Sequence, residues 1–366
     1  MKQTLTMLTA ILLAASLPAA QPVEPPARGQ SGSVGRIAVS TNPSLPAVTG
    51  GDGDGWMGGE LPPLTPPEKP IVDVFMHDSC ICRGPDNQYY LMGTTGPDMM
   101  NVNKGIEMWK SPDLKKWEYL GYVWTFEKDA KADWQKGKLN PDGTRTPKPL
   151  WAPELHYIKG QWYIACCVEH QGILILKSIT GRPEGSYADI MSGEHLIPPG
   201  PYDASLFEDD DGQVYLLCAA IRIAKMKPDM SGLAEPLRNV TIAPGTERHN
   251  SEGPYMAKLN GRYYLFMAQG TLHEKDGMRA GPGAKKTYDI WAMSAKTPYG
   301  PFEKRFLAFP RAGHNVVFQD HQGRWWSTWG NIDKPESVGM PFYSRPAIIP
   351  IEMDSEGKLR QAPPRD

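Results

Sequence analysis

Three carboxylic acids and a histidine share one register of a repeated pattern in this 366-residue chain. Asp78, Asp203, Glu252 and His314 each stand 12 residues ahead of an aromatic in a hairpin-like segment, and Trp151 takes that place in a fifth. Ionisable groups are poor core residues, because burying each one costs free energy unless it is paired. A pocket has a use for them. Two carboxyls facing each other across a glycosidic bond are the minimum apparatus for hydrolysing it, one protonated to release the leaving oxygen and one ionised to activate water. A third carboxylate nearby separates their proton affinities, since like charges resist a further ionisation. Glu252 has the longer reach suited to the proton donor, and Asp78 the shorter one suited to a fixed base. A gap of roughly 6.5–9.5 Å between the pair admits water and inverts the sugar, whereas about 5–5.5 Å gives retention.

The elements that must position these residues are legible as a repeat. Residues 80–93, 154–166, 205–218, 254–267 and 315–328 each read as an apolar strand, a polar turn and an aromatic-rich strand. The turns carry DN, KG, DG, NG and QG pairs, the chemistry of tight hairpins that need positive φ. The aligned aromatics are Tyr90, Tyr163, Tyr215, Tyr264 and Trp326. Five strand hairpins with irregular insertions and no long helical period point to an all-β fold, a five-bladed β-propeller. The first strand of each blade lines the central axis, so equivalent positions converge there. Glu154, three residues past Trp151, is expected on the opposite strand face and outside the site.

Composition narrows the partners. Lys and Arg number 39 against 41 Asp and Glu, which gives no electrostatic reason to expect nucleic acid or an anionic membrane. With 37 Gly and 36 Pro the chain is too rich in helix breakers for a helical bundle. Residues 1–20 carry Lys2, a short apolar run and small residues, the pattern of a secretory signal peptide, so export to the periplasm or outside the cell is expected. Residues 21–70 hold 10 Pro and 9 Gly and read as a flexible linker, leaving 71–366 as the folded domain. Five cysteines cannot all pair within the chain, and their spacing reveals no zinc site. Nothing in the sequence specifies an oligomeric state.

VFMHDSCI (74–81), WAPEL (151–155), YDASLF (202–207), NSEGPYM (250–256) and GHNVVF (313–318) occur in an order that resembles glycoside hydrolase family 43. SPDLKKWEYLG (111–121) is similar to a segment of its first blade, and SRPAIIPIEMDSEGKL (344–359) to its closing segment. The resemblance implies an inverting glycosidase with Asp78 as base, Glu252 as acid and Asp203 tuning the acid. It implies that Arg345 holds sugar hydroxyls or Asp203, that Trp151 walls the pocket, and that His314 lies near water or a structural calcium, with no cofactor required. The expected substrates are plant or algal carbohydrates bearing α-L-arabinofuranosides or β-D-xylosides. Ser79 and Ala204 stand where the family usually has Pro, and His77, His249 and Asn250 also depart from its pattern, which leaves the sugar open. An anhydro-galactosidase, a galactan-active enzyme and a non-catalytic carbohydrate-binding propeller are the alternatives.

Overall fold

The hairpins found in the sequence are the inner halves of antiparallel sheets of four strands. A computed structural model describes residues 65–96, 103–246, 251–273, 285–330 and 344–364. The expected signal peptide, most of the expected linker, His249 and Asn250 lie outside the described residues. Blade 1 comprises β1 (Met76–Arg83), β2 (Tyr89–Thr95), β3 (Gly105–Ser111) and β4 (Glu118–Thr125). The four-residue helix α1 (Phe126–Asp129) and a small hairpin of β5 (Lys138–Leu139) and β6 (Arg145–Thr146) follow. Blade 2 contains β7 (Leu150–Ile158), β8 (Gln161–Val168), β9 (Gly172–Ser178) and β10 (Tyr187–Asp189). Blade 3 contains β11 (Ser205–Glu208), β12 (Val214–Cys218), β13 (Arg222–Lys225) and β14 (Arg238–Asn239). Blade 4 contains β15 (Glu252–Leu259), β16 (Arg262–His273), β17 (Lys285–Ala295) and β18 (Phe306–Phe309). Blade 5 contains β19 (Val317–Gln319), β20 (Trp325–Trp329), β21 (Ala347–Met353) and β22 (Leu359–Gln361). This is the expected five-bladed β-propeller.

The repeated aromatic is repeated because it does the same packing job in each blade. It lies on the second strand and enters the apolar layer shared with the next blade. Tyr90 packs with Trp162 and Leu155, Tyr163 with Leu206 and Val214, and Tyr215 with Met256 and Leu265. Tyr264 packs with Val317 and Trp329, and Trp326 closes the ring against Met76 and Tyr89 of blade 1. Strands covered on both faces are apolar throughout rather than alternating, as in the QWYIACCV run of β8. Burying a large apolar side chain fully is worth about 1.5–3 kcal/mol, so five such layers carry much of the stability. Backbone bonds finish the closure, with the Ile71 N–H donating to Pro346 O at 2.9 Å and the Met76 N–H to Ser344 O at 3.0 Å. Thr65, upstream of the expected Ile71 boundary, already exchanges two hydrogen bonds with the Gln361 side chain. All five cysteines are free thiols.

The turns differ in length, which corrects the register read from the sequence. Asn87, Gly160, Gly212, Gly261 and Gly323 all adopt the expected positive φ. Only Lys159-Gly160 and Asn260-Gly261 are two-residue hairpins, closed by the pairs Ile158–Gln161 and Leu259–Arg262. The other three connections are longer, closed by Arg83–Tyr89, Glu208–Val214 and Gln319–Trp325. The ladder partners of the aromatics are Cys82, His156, Phe207, Ala257 and Phe318. Measured from those partners, Asp78, Asp203 and His314 share one position, while Trp151 and Glu252 stand one residue earlier.

Candidate active site

Three of the inner strands, β1, β7 and β15, begin with a bulge that sets the direction of the side chains there. The pairing of β1 shifts between His77 and Cys80, that of β7 between Trp151 and Glu154, and that of β15 between Glu252 and Tyr255. Within these bulges Asp78, Ala152 and Gly253 have φ of 51°, 46° and 56°, and Asp203 repeats the conformation at 52° ahead of β11. Left-handed backbone is unfavourable for most residues, and at a bulge it redirects a side chain that simple alternation would send elsewhere. Gly253 is required for a second reason. A Cβ there would meet the His314 ring at 2.7 Å.

Asp78 is held as a carboxylate. Its Oδ2 accepts a hydrogen bond from Thr94 Oγ1 at 2.7 Å, and its Oδ1 lies 3.3 Å from His314 Nδ1. Burial alone would raise its pKa, but the His314 contact, the nearby His77 and the Thr94 hydroxyl outweigh it and bring the value down to about 2. His314 is buried, which by itself disfavours a charged ring. Asp78 on one side and Glu154 on the other reverse that and raise its pKa well above the ordinary histidine range.

Asp203 has the opposite electrostatics. Burial, followed by the charges of Asp78 and Glu252, pushes it up to about 7 against the opposing pull of His314 and of the Gly253 N–H. That N–H donates to Asp203 Oδ2 at 2.9 Å, so Asp203 grips the peptide immediately after Glu252. The Glu252 Oε1 accepts a hydrogen bond from the Tyr288 hydroxyl at 2.5 Å. Tyr202 is close by, its phenol pushed up to about 12 by burial and then by Glu252 and Asp203. With a carboxyl pushed up to about 7, the site below neutrality keeps a proton that three ordinary carboxyls would have lost.

The remaining expected residues divide. Trp151 stands at the start of β7, and its buried Nε1 has no acceptor among the described residues. Its ring meets His170 edge-on at 5.8 Å between centroids, and His170 meets Tyr202 in the same way at 5.3 Å. Arg345 donates through Nε to Asp73 Oδ1 at 2.8 Å and lies 3.9 Å over the Phe75 ring. Through this pair Arg345 links the segment ahead of β1 to blade 5. A cavity of about 200 Å³ is lined by Glu252, Tyr202, Ser251 and Gln269. A larger one of about 350 Å³ lies along the later halves of the inner strands, by Cys82, His156, Glu208, Tyr255 and Gln319, away from the three acids.

Calcium held directly by His314 does not fit this arrangement. Both ring nitrogens face carboxylates, and calcium takes oxygen ligands. Among the described residues no three of His, Cys, Asp or Glu form a metal-holding group.

Thr94, Tyr202, Tyr288, His170 and Glu154 were not among the site residues read from the sequence. Glu154 was expected to face away, but the bulge at Ala152 turns it inward until its Oε1 is 3.7 Å from His314 Nε2. The others sit on second or third strands or on loops whose approach depends on blade packing.

A propeller of five blades with three carboxyls and a histidine gathered where its inner strands begin defines the class. The chain belongs to the glycosyl hydrolases family 43, whose family model matches residues 67–359. It is 26% identical over 311 residues to a xylan 1,3-beta-xylosidase of Vibrio sp, covering 75% of this chain and 52% of that protein. It is 23% identical over 312 residues to a non-reducing end alpha-L-arabinofuranosidase of Bacteroides ovatus, covering 79% and 52% respectively. The chain thus spans about half the length of these curated relatives. Among solved structures, a beta-xylosidase/alpha-arabinofuranosidase from a compost microbial metagenome superposes with a TM-score of 0.61 at 18% identity, over 81% of this chain and 98% of that one. This likeness supports the fold. Among the described residues no helix is long and apolar enough to cross a membrane.

Proposed function

We propose that the chain is an exported glycoside hydrolase that removes α-L-arabinofuranosyl or β-D-xylosyl groups from plant or algal polysaccharides or oligosaccharides with inversion. The observation that carries this reading is the opposed pair of environments, Asp78 held ionised by His314 and Thr94 while Asp203 is held near 7 beside Glu252. In the proposed reaction Asp78 takes a proton from a water as that water attacks the anomeric carbon. Glu252 gives its proton to the glycosidic oxygen as the bond to that carbon breaks. Both products leave neutral, Asp78 gives the proton it took to solvent and Glu252 regains one from solvent, which resets both groups. Asp203 fixes the strand after Glu252 and resists loss of the proton, and Tyr288 orients the Glu252 carboxyl. Trp151 walls the pocket with its ring, next to His170 and through it Tyr202. The chemistry assigned to these groups uses carboxyls and water and routes no step through a cofactor. The xylosidase and arabinofuranosidase activities of the relatives support the choice of sugar.

The test is turnover of purified protein on nitrophenyl arabinofuranoside, xyloside and galactoside panels, with Asp78→Asn as control. Turnover of one of the first two, reduced about 10³-fold in the variant, is expected. Turnover of galactosides only would transfer the chain to the galactan-type alternative. Binding without turnover on every panel would mark it as a carbohydrate-binding propeller.

A further inference from the structure

We propose that Glu154 is a positioning residue for the base, acting across the propeller axis by holding His314 so that the imidazole Nδ1 stays on Asp78. The inference rests on the reading of Asp78 as base and extends it to a group that does not touch substrate. Glu154 is 2% exposed and lines neither of the two cavities. Its Oε1 lies 3.7 Å from His314 Nε2, and the other ring nitrogen is 3.3 Å from Asp78. Blades 1, 2 and 5 therefore meet through one imidazole.

The surroundings of Glu154 explain why its charge leans on that ring. Its Oε2 is 3.2 Å from His156 Nε2, yet this nitrogen accepts the Leu206 N–H at 3.4 Å, and no donor is aligned on Oε2 among the described residues. One ring nitrogen cannot accept from Leu206 and donate to Glu154 at the same time. The other polar groups packed nearby are spent elsewhere: Tyr255 donates to Val317 O and the Cys80 thiol to Leu155 O. Asp78 and Asp203 are the further anions acting on His314, and the Gly253 backbone covers the ring. A carboxylate this poorly satisfied is a costly core residue. Its negative charge, however, favours a ring protonated at both nitrogens, and only a protonated Nδ1 can donate to Asp78. Without that charge the ring can lose its Nε2 proton as pH rises, and the base then faces a neutral imidazole N–H in place of a cation.

The experiment compares Glu154→Gln, which keeps the shape and removes the charge, with wild type and with Glu154→Asp, which keeps the charge. Nitrogen-15 NMR of histidine-labelled protein, with the His314 signal assigned through His314→Gln, reads the ring directly. In wild type both His314 nitrogens are expected to stay protonated from pH 5 to 8. In Glu154→Gln the ring is expected to titrate inside that range. The loss of kcat is expected to grow from under about three-fold at pH 5.5 to over about ten-fold at pH 8, with KM unchanged. Glu154→Asp is expected to recover the wild-type NMR signature in part. A His314 signal that titrates alike in wild type and Glu154→Gln overturns the inference, as does a loss of activity that is the same at every pH. If Glu154→Gln does not fold, the wild-type spectrum decides the matter, and a His314 ring that already titrates between pH 5 and 8 with Glu154 in place counts against the inference. Full activity of Asp78→Asn would instead remove the reading of Asp78 on which the inference stands.

Discussion

The carboxylate of Asp203 accepts a hydrogen bond from the N–H of Gly253 at 2.9 Å, joining the mouth of blade 3 to the peptide that follows Glu252. That single bond couples a group pushed up to about 7 to the backbone carrying the proposed proton donor. Asp203 therefore fixes the peptide that follows Glu252, and the Glu252 charge in turn helps to hold the proton on Asp203.

Replacing Asp203 with Asn keeps an acceptor for Gly253 and removes the titration. The folded pKa of about 7 lies above the ordinary value of 3.8, so the folded state holds the proton more tightly than the unfolded chain. Stability from this group is greatest below pH 4 and is lost as pH rises through about 7, by at most about 4 kcal/mol. The difference in thermal midpoint between wild type and Asp203→Asn should shrink steadily from pH 4 to 7. Two parallel curves over that range would remove the assigned shift. Turnover should fall about 10²-fold, with the alkaline limb of the rate profile moved to lower pH.

Glu252→Gln removes the proposed proton donor but keeps its acceptor for the Tyr288 hydroxyl. Protonation of the leaving oxygen matters most for a basic alcohol and least for a nitrophenol. Loss of activity on an oligosaccharide is expected to exceed 10³-fold, while loss on a dinitrophenyl glycoside is expected to be tens-fold or less. Equal losses on both substrates would argue that Glu252 has another role.

Gly253→Ala probes the contact between the Gly253 backbone and the His314 ring. The added methyl carbon would approach the His314 ring at 2.7 Å from a φ of +56°, so backbone and ring must both shift. A loss of about 1–3 kcal/mol in stability and at least ten-fold in turnover is expected, from denaturant unfolding and steady-state rates. A fully active and stable alanine variant would mean that His314 need not sit where it does.

The fold was legible because one packing position repeats: Tyr90, Tyr163, Tyr215, Tyr264 and Trp326 each enter a layer between blades, and each hairpin carries a residue at positive φ. Counting residues back from those aromatics still misjudged the register. The two-residue turns at Gly160 and Gly261 and the longer turns at Asn87, Gly212 and Gly323 share the same local chemistry but differ in length. Asp78 and Glu252 are redirected by bulges and Asp203 by the same left-handed backbone ahead of β11, and neither a bulge at Ala152 nor its effect on Glu154 is visible in a run such as WAPEL. Tyr288 reaches Glu252 from the third strand of its blade, a meeting that depends on strand length and twist. Arg345 was assigned by motif alone, and motif order does not reveal that Asp73 lies within its reach.

The central claim is hydrolysis by a base and an acid working from opposite sides of the anomeric carbon, and the stereochemistry of the first product tests it most directly. With a β-D-xyloside as substrate, proton NMR in the first minutes of reaction should show α-xylose appearing before mutarotation brings in the β form. β-Xylose appearing first would contradict inversion and with it the role of Asp78 as a base acting on water.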